Sequence, residues 1–438
     1  MQINKVNTNR NNHYVIYISL IIFIMAISLF ILVISGNNTS YYKPIVLGIL
    51  LFCIYKGFNE KSIINPYFLF SIVPFSLLIY SPEISNVYLL NLTNSTIYYA
   101  IFNMVFFLIG LNVTKIHFTN HRKQISNKAE LVFHAWVMFA ISIIPSFAPS
   151  FILSSVISLF IYPALASAIK SKNLLTIILI YLAYIVINLN TFTKLEVLSI
   201  LIVTIVSIVK YYNFHKQNKF MFFIFIVVGV LLMLEMFDLK SYLQSGGTFL
   251  SYIQGGYLNY NIETSFLQSG NITWNFNNKL VVPYMYLTTP WTNLQYVMET
   301  QNNLTFGLWF LKPLLGWLQL DGFFLTKYNL QAYSSFNTFT YLAVIFKDVG
   351  YWGSLLISLF LGFFVKLVYN RFLFSRSPLD IASYALVSLA TFQMFFSNHF
   401  FMLSYPFTII VISAIYQFVF VKYDYQNRLS DSTLLGKV

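Results

Sequence analysis

Charge is scarce in this chain. Only 9% of its 438 residues are Asp, Glu, Lys or Arg, and the acids number 13. A soluble domain of this size carries roughly 25% charged residues, so an ordinary water-soluble fold is excluded. Cysteine is almost missing too. The single one, Cys53, lies inside an apolar run and leaves no internal disulfide to form. The six histidines (His13, His117, His121, His134, His215 and His399) show no metal-ligand spacing, so no metal is expected. The glycine pairs in "SGGTF" and "QGGYL" lack the Lys–Ser/Thr of a phosphate loop, and there is no dinucleotide fingerprint. A G-x-S-x-G nucleophile elbow is also absent. The sequence therefore implies neither a nucleotide nor another cofactor.

What fills the chain instead is apolar sequence, at 58% of all residues. Long runs recur, beginning with "YVIYISLIIFIMAISLFILVIS" from Tyr14 to Ser35. Runs of about 18 or more apolar residues read as membrane helices. The spacing predicts helices over 14–35, 42–56, 64–80, 97–113, 131–147, 150–169, 174–190, 193–210, 220–237, 351–369, 381–397 and 400–421. The fold class is thus an all-α polytopic membrane protein with about twelve transmembrane helices. It is read as one integral membrane domain over 1–438. No small-residue cleavage site follows the first run, which reads as a retained helix rather than a signal peptide.

The formal charge of +13 suggests nucleic acid at first sight, but it sorts by loop. With the N-terminus inside, 19 of the 26 Lys and Arg residues fall on the inner side, as the positive-inside rule favours. The inner side then holds a net +14 and the outer side −1, which together give the +13 of the whole chain. Both termini are expected in the cytoplasm, and no nucleic acid partner is implied. All the arginines fall inside. The outer cations are lysines only: Lys43, Lys194, Lys240, Lys279, Lys312, Lys327 and Lys347.

One outer segment, 238–350, is far longer than the others and lies between the ninth and tenth predicted helices. Connections of this length are usually functional. Val281 to Thr300 has helical spacing, and Phe306 to Leu320 is apolar but broken by Pro313 and Gly316. Short amphipathic or re-entrant helices against the bundle are expected here. Tyr, Trp, Phe, Asn, Gln and Thr dominate the segment. Aromatic rings offer flat faces to the C–H faces of sugars, and carboxamides both donate to and accept from hydroxyls. An interfacial aromatic belt gives the same composition. Tyr286, Trp291, Asn293 and Trp309 are the candidate sugar contacts.

In overall length, helix number and late outer segment, the chain resembles the O-antigen polymerase, or oligosaccharide repeat unit polymerase, family of bacterial inner membranes. "YLTTPWTNL" (Tyr286 to Leu294) looks like that family's Pro–aromatic–x–Asn–Leu region. "FNTFTYLAVIFKDVGYWGSLLISLFLGFF" resembles its Asp–x–Gly–x–x–Gly start of a membrane helix, here Asp348, Gly350 and Gly353, with Gly362 further on and Asn337 and Thr338 ahead. Where the family carries outward arginines, this chain has Lys194 in "NTFTKLEVL" and Lys240 in "FDLKSYL". The charge is kept but the bidentate fork is lost.

The resemblance implies glycosyl transfer at the periplasmic face, with the large segment as a periplasmic loop. The donor would be a growing glycan on undecaprenyl diphosphate, and the acceptor a single repeat unit on the same lipid. A chain-length regulator and a repeat-unit flippase would be functional partners, beside membrane lipid. A cation must meet the leaving diphosphate and a base the attacking hydroxyl. Lys194 and Lys240 are the first candidates for the cation, followed by Lys279 and Lys312. Glu196, Asp348 and His399 are candidates for the base. Glu196 is also placed to tune Lys194, and Asp348, just ahead of Gly350, to act as a structural cap.

Two other functions fit parts of the pattern. A flippase or transporter suits the helix number, but such proteins place ionisable groups and broken helices at the midplane, often in repeats. Here the predicted helices are nearly free of charge at their middles. An O-antigen ligase shares the donor, but its His–Asn pair ahead of the glycines is reduced here to Asn337 alone.

Overall fold

The structure is a computed structural model that describes residues 42–60, 62, 64–80, 90–113, 127–147, 160–187, 194–212, 281–300, 304–308 and 339–395. At 113, 145–147, 185–187, 194–198 and 281–286 it describes the backbone alone. Among the described residues the structure is helical, with no strand. The helices are α1 (Tyr42–Asn59), α2 (Pro66–Phe70), α3 (Ile72–Leu78), α4 (Asn94–Val113), α5 (Lys128–Phe147), α6 (Ile161–Ser171), α7 (Leu174–Ile187), α8 (Lys194–Tyr211), α9 (Val281–Thr300), α10 (Tyr341–Phe374) and α11 (Pro378–Phe392). A 3-10 turn, Gln393–Phe395, follows α11. The helices expected over 14–35, 220–237 and 400–421 lie outside the described residues.

Two of these helices, Asn94–Asn112 and Tyr341–Phe374, are long and apolar enough to cross a membrane. Exposed apolar stripes agree with that setting. Leu47, Leu51, Tyr55 and Phe58 are exposed on α1, and Trp352, Leu356 and Phe360 on α10. Spacings of three or four residues put each set on one helix face. Such continuous apolar surface is a liability in water and suits contact with lipid.

Proline and glycine explain where the helices depart from simple spans. The run expected as one helix over 64–80 is two. Pro74 cannot donate to the Phe70 carbonyl, and its ring crowds that carbonyl, so α2 stops at Phe70. The start of α2 is well made. Pro66 takes the first position, and the Asn65 side chain accepts from the amides of Tyr67 and Phe68, both at 3.1 Å. α10 begins earlier than the sequence suggests. Thr340 caps it through the Ala343 amide at 3.3 Å, and a short helical section precedes Gly350. Gly350 then breaks the path at φ 73° and ψ −169°, a conformation that only glycine adopts readily.

The centre of the bundle is the pair α4 and α10, which run parallel. The Tyr99 hydroxyl donates to the Leu342 carbonyl at 3.0 Å near one end. Midway, the Asn103 side-chain Nδ2 donates to Ser354 Oγ at 3.4 Å, and the Ser358 hydroxyl donates to Asn103 Oδ1 at 2.7 Å. Toward the other end the backbones touch. A Cβ on Gly110 would stand 2.1 Å from the Leu359 carbonyl oxygen, and one on Gly362 2.0 Å from that of Phe107. Small residues at such a crossing are how membrane helices approach closely.

The ends of the bundle differ in chemistry. Lys366 pairs with Glu60 at 2.6 Å, and Arg371 with Asp380 at 2.8 Å. These groups lie together with Lys170, Lys210 and Arg376 at one end, here termed the basic end, and the positive-inside pattern expects these lysines and arginines on the inner side. Thr93, Gln295, Thr305 and Asp348, assigned to the outer side, fall at the opposite, polar end.

Gly362→Leu should wreck the α4–α10 crossing. Overpacking alone costs about 1–3 kcal/mol, and the backbone contact leaves no room to relax. The expected outcome is loss of the monodisperse peak in detergent chromatography. Gly48→Ala, with nothing within 4 Å of the added Cβ, should leave it unchanged.

Candidate functional site

α9 lies in the long outer segment, where short helices against the bundle are expected. It forms a helix over Val281–Thr300, the range that the spacing suggested. Pro283 sits in its first turn, where no amide is needed. Pro290 lies inside and withholds the bond to the Tyr286 carbonyl. The following turns are enclosed against α3, α4 and α10.

The polar side chains of α9 serve to grip the bundle. The Trp291 indole N–H donates to Ser76 Oγ at 3.0 Å. The Tyr80 hydroxyl donates to the Leu90 carbonyl at 2.5 Å and lies 2.7 Å from Thr292 Oγ1. With its proton on Leu90, Tyr80 accepts from Thr292. Thr292 Oγ1 in turn accepts from the Leu90 amide at 3.3 Å. One turn on, Gln295 Oε1 accepts from the amide and hydroxyl of Thr93 at 3.0 and 3.2 Å, and its amide nitrogen donates to Glu299. Buried hydroxyls and amides must be paired in this way, or each costs about 1–3 kcal/mol.

Trp291 and Asn293 were expected on a sugar-facing surface. The structure instead encloses both completely. Nothing in the Pro–Trp–x–Asn pattern distinguishes a stacking tryptophan from a packed one. The Ser76 partner, 215 residues away in sequence, makes the difference. Tyr286 lies on the first half of α9, where the backbone alone is described.

Asp348 occupies the last turn before the Gly350 break and is fully buried. Its Oδ1 accepts from the Thr305 hydroxyl at 2.5 Å and from the Gly307 amide at 2.8 Å. Its carbonyl accepts from the Phe306 amide at 2.9 Å, and the Lys347 carbonyl accepts from the Thr305 amide at 3.0 Å. The carboxylate therefore fastens the 304–308 turn to α10. The turn holds Phe306 at φ 48° with the residue 83% exposed, a strained backbone that the four hydrogen bonds support.

α8 begins at Lys194, so Lys194 and Glu196 share its first turn at the end away from the basic cluster. Lys240, Lys279, Lys312, Trp309, Asn337 and His399 lie outside the described residues. Sequence reading missed Thr305, Thr93, Tyr80 and Gln295. Of these, Gln295 had a signal: with Thr288, Trp291, Thr292 and Glu299 it repeats at three and four residues along one helix face.

Chemically, the polar end offers hydroxyls, carboxamides and aromatic rings beside one enclosed carboxylate. Among the described residues no three His, Cys, Asp or Glu side chains come together as a metal set. The motif around Trp291 and the one around Asp348 sit on α9 and α10, two helices in direct contact. No family model, curated protein or solved structure matches this chain.

Asp348→Ala should release the 304–308 turn while sparing the bundle. Hydrogen exchange at Phe306 and Gly307 should accelerate about tenfold or more, since two hydrogen bonds to a charged acceptor are lost at about 1.5–3 kcal/mol each. Asp348→Asn, which keeps an acceptor, should lose less.

Proposed function

We propose that this chain is a membrane-embedded glycosyltransferase that joins lipid-linked oligosaccharide repeat units, in the manner of an O-antigen polymerase. In this reading about twelve helices cross the bacterial inner membrane, with both termini cytoplasmic and the 238–350 loop in the periplasm. The donor glycan and acceptor unit are both carried on undecaprenyl diphosphate. An acceptor hydroxyl attacks the donor's anomeric carbon, and lipid diphosphate leaves.

One observation carries the reading. The two stretches that bear the family resemblance, Pro290–Leu294 and Asp348–Gly353, are far apart in sequence and lie on packed helices at the polar end. The few charges among the described residues of this end suit a neutral carbohydrate better than a charged small molecule. Buried Trp291 and Asn293 act here as the frame of such a site rather than as its surface. Asp348 orders the 304–308 turn, and exposed Phe306 presents an aromatic face beside it. Lys194, at the head of α8, supplies a cation to the diphosphate as a point charge. Lys240 is the second cation.

Cells lacking the gene should make lipopolysaccharide with one repeat unit, visible as a single band above the core on a gel. Total absence of repeat units would point to a ligase, and repeat units trapped inside to a flippase. Lys194→Ala and Lys240→Ala should each cut polymer formation about 10²–10³-fold, the scale for losing one electrostatic contact to a developing anion. Membrane protein level should stay unchanged. Full-length polymer from both variants would remove the lysines from the mechanism.

A further inference from the structure

The basic end carries an arrangement that glycosyl transfer does not use. α6 ends at Ser171, α8 at Tyr211 and α10 at Phe374. These ends meet around the start of α11, which packs on all three helices. Lys210 Nζ donates to the carbonyls of Phe372 and Leu373 at 2.7 and 3.0 Å, closing the C-terminus of α10. The Tyr211 hydroxyl donates to the Arg376 carbonyl at 3.3 Å. The Arg376 side chain is exposed, and its charge acts on both Lys170 and Lys210. Lys170, in the last turn of α6, has its Nζ enclosed 6.0 Å from the Tyr211 ring centre and makes no hydrogen bond.

The acids nearby do not balance these charges. Asp380 is taken by Arg371 at 2.8 Å. Glu130, exposed on α5, attracts Lys170 without bonding to it. Among the described residues, three cations thus face one distant carboxylate. An enclosed ammonium without an acceptor is costly. An ammonium has three donors. Lys210 has used two on carbonyls, and Lys170 none. One turn back on the same two helices, the Ser167 and Ser207 hydroxyls are also fully buried with no partner, as is the Ser377 hydroxyl ahead of α11. Several donors with an excess of positive charge call for an anion with several oxygens.

We propose that this junction binds a phosphate group through Lys170, Lys210 and Arg376. The Arg376 guanidinium supplies the planar fork and the two lysines supply point charges. Its position suits the phosphodiester of an anionic phospholipid headgroup, because basic pockets between membrane helices bind such headgroups. Tyr212, half-exposed beneath Lys172 Nζ at 5.3 Å, has the amphipathic character of an interfacial aromatic. Free inorganic phosphate offers the same oxygens.

The test uses the full chain in neutral detergent and has two arms. The first compares retention of phosphatidylglycerol and phosphatidylcholine by native mass spectrometry. The second compares thermal stabilisation by inorganic phosphate and by chloride at matched ionic strength. A response to phosphatidylglycerol alone assigns the site to a lipid headgroup, and a response to inorganic phosphate alone assigns it to the free ion. Lys170→Gln and Arg376→Gln should each weaken the responding arm about fivefold or more, a coupling of about 1 kcal/mol. Lys172→Gln, which removes the same charge from an exposed neighbour, should leave it intact. If Lys170→Gln fails to accumulate, Arg376→Gln, at an exposed side chain, carries the comparison. No preference in either arm by the wild type overturns the proposal. So does a loss in Lys172→Gln as large as in Arg376→Gln.

Discussion

The backbone contact between α4 and α10 is the constraint on which the rest of the bundle depends. Gly110 and Gly362 have no side chains, so each helix lies against the carbonyls of the other. In a membrane there is little hydrophobic force between apolar helices. Close packing and buried polar contacts must supply the attraction. The glycine crossing gives the first, and Asn103 with Ser354 and Ser358 gives the second. Because the pair is parallel and close, Tyr99 reaches Leu342, and the short helical section before Gly350 is held against α4. The seat for α9 follows from that placement.

α9 shows how polar residues are used where water is scarce. A helix rich in Thr, Asn and Gln would be poorly stable alone in lipid. Here its polar face finds Ser76, Tyr80, Leu90 and Thr93 from the ends of α3 and α4. The same hydrogen bonds that stabilise it also fix its rotation. The carboxylate of Asp348 does comparable work for the 304–308 turn. The polar end is therefore assembled from several short, mutually dependent hydrogen-bonded pieces, whereas the basic end closes on ion pairs and capped helix ends.

Helix positions were legible wherever the apolar run was long. The runs over 42–56, 97–113, 131–147, 174–190 and 193–210 each correspond to a helix with close boundaries. Departures have local causes. Pro74 splits one run, and Thr340 starts α10 ten residues, nearly three turns, ahead of the expected apolar stretch. The capping reading of Asp348 was open from its place before Gly350, but its partner Thr305 was not, because that contact crosses 43 residues. The burial of Trp291 was equally hidden, since tryptophan has the same propensity for an interface, a ligand and a core.

What the sequence determined by itself is the helical class of the described residues and the apolar character of the long helices. Composition and run length depend only on local residue content. What the tertiary structure alone decided is the hydrogen-bond partners of Trp291, Thr292 and Gln295 on α9 and of Asp348 before Gly350. Hydroxyls, carboxamides and a carboxylate are equally able to bind sugar, cap a helix or join two helices. Only the partner brought within 3 Å, from tens to hundreds of residues away, selects among these uses. The same holds for Lys170, whose lack of any hydrogen-bond partner is a property of the three helix ends that surround it.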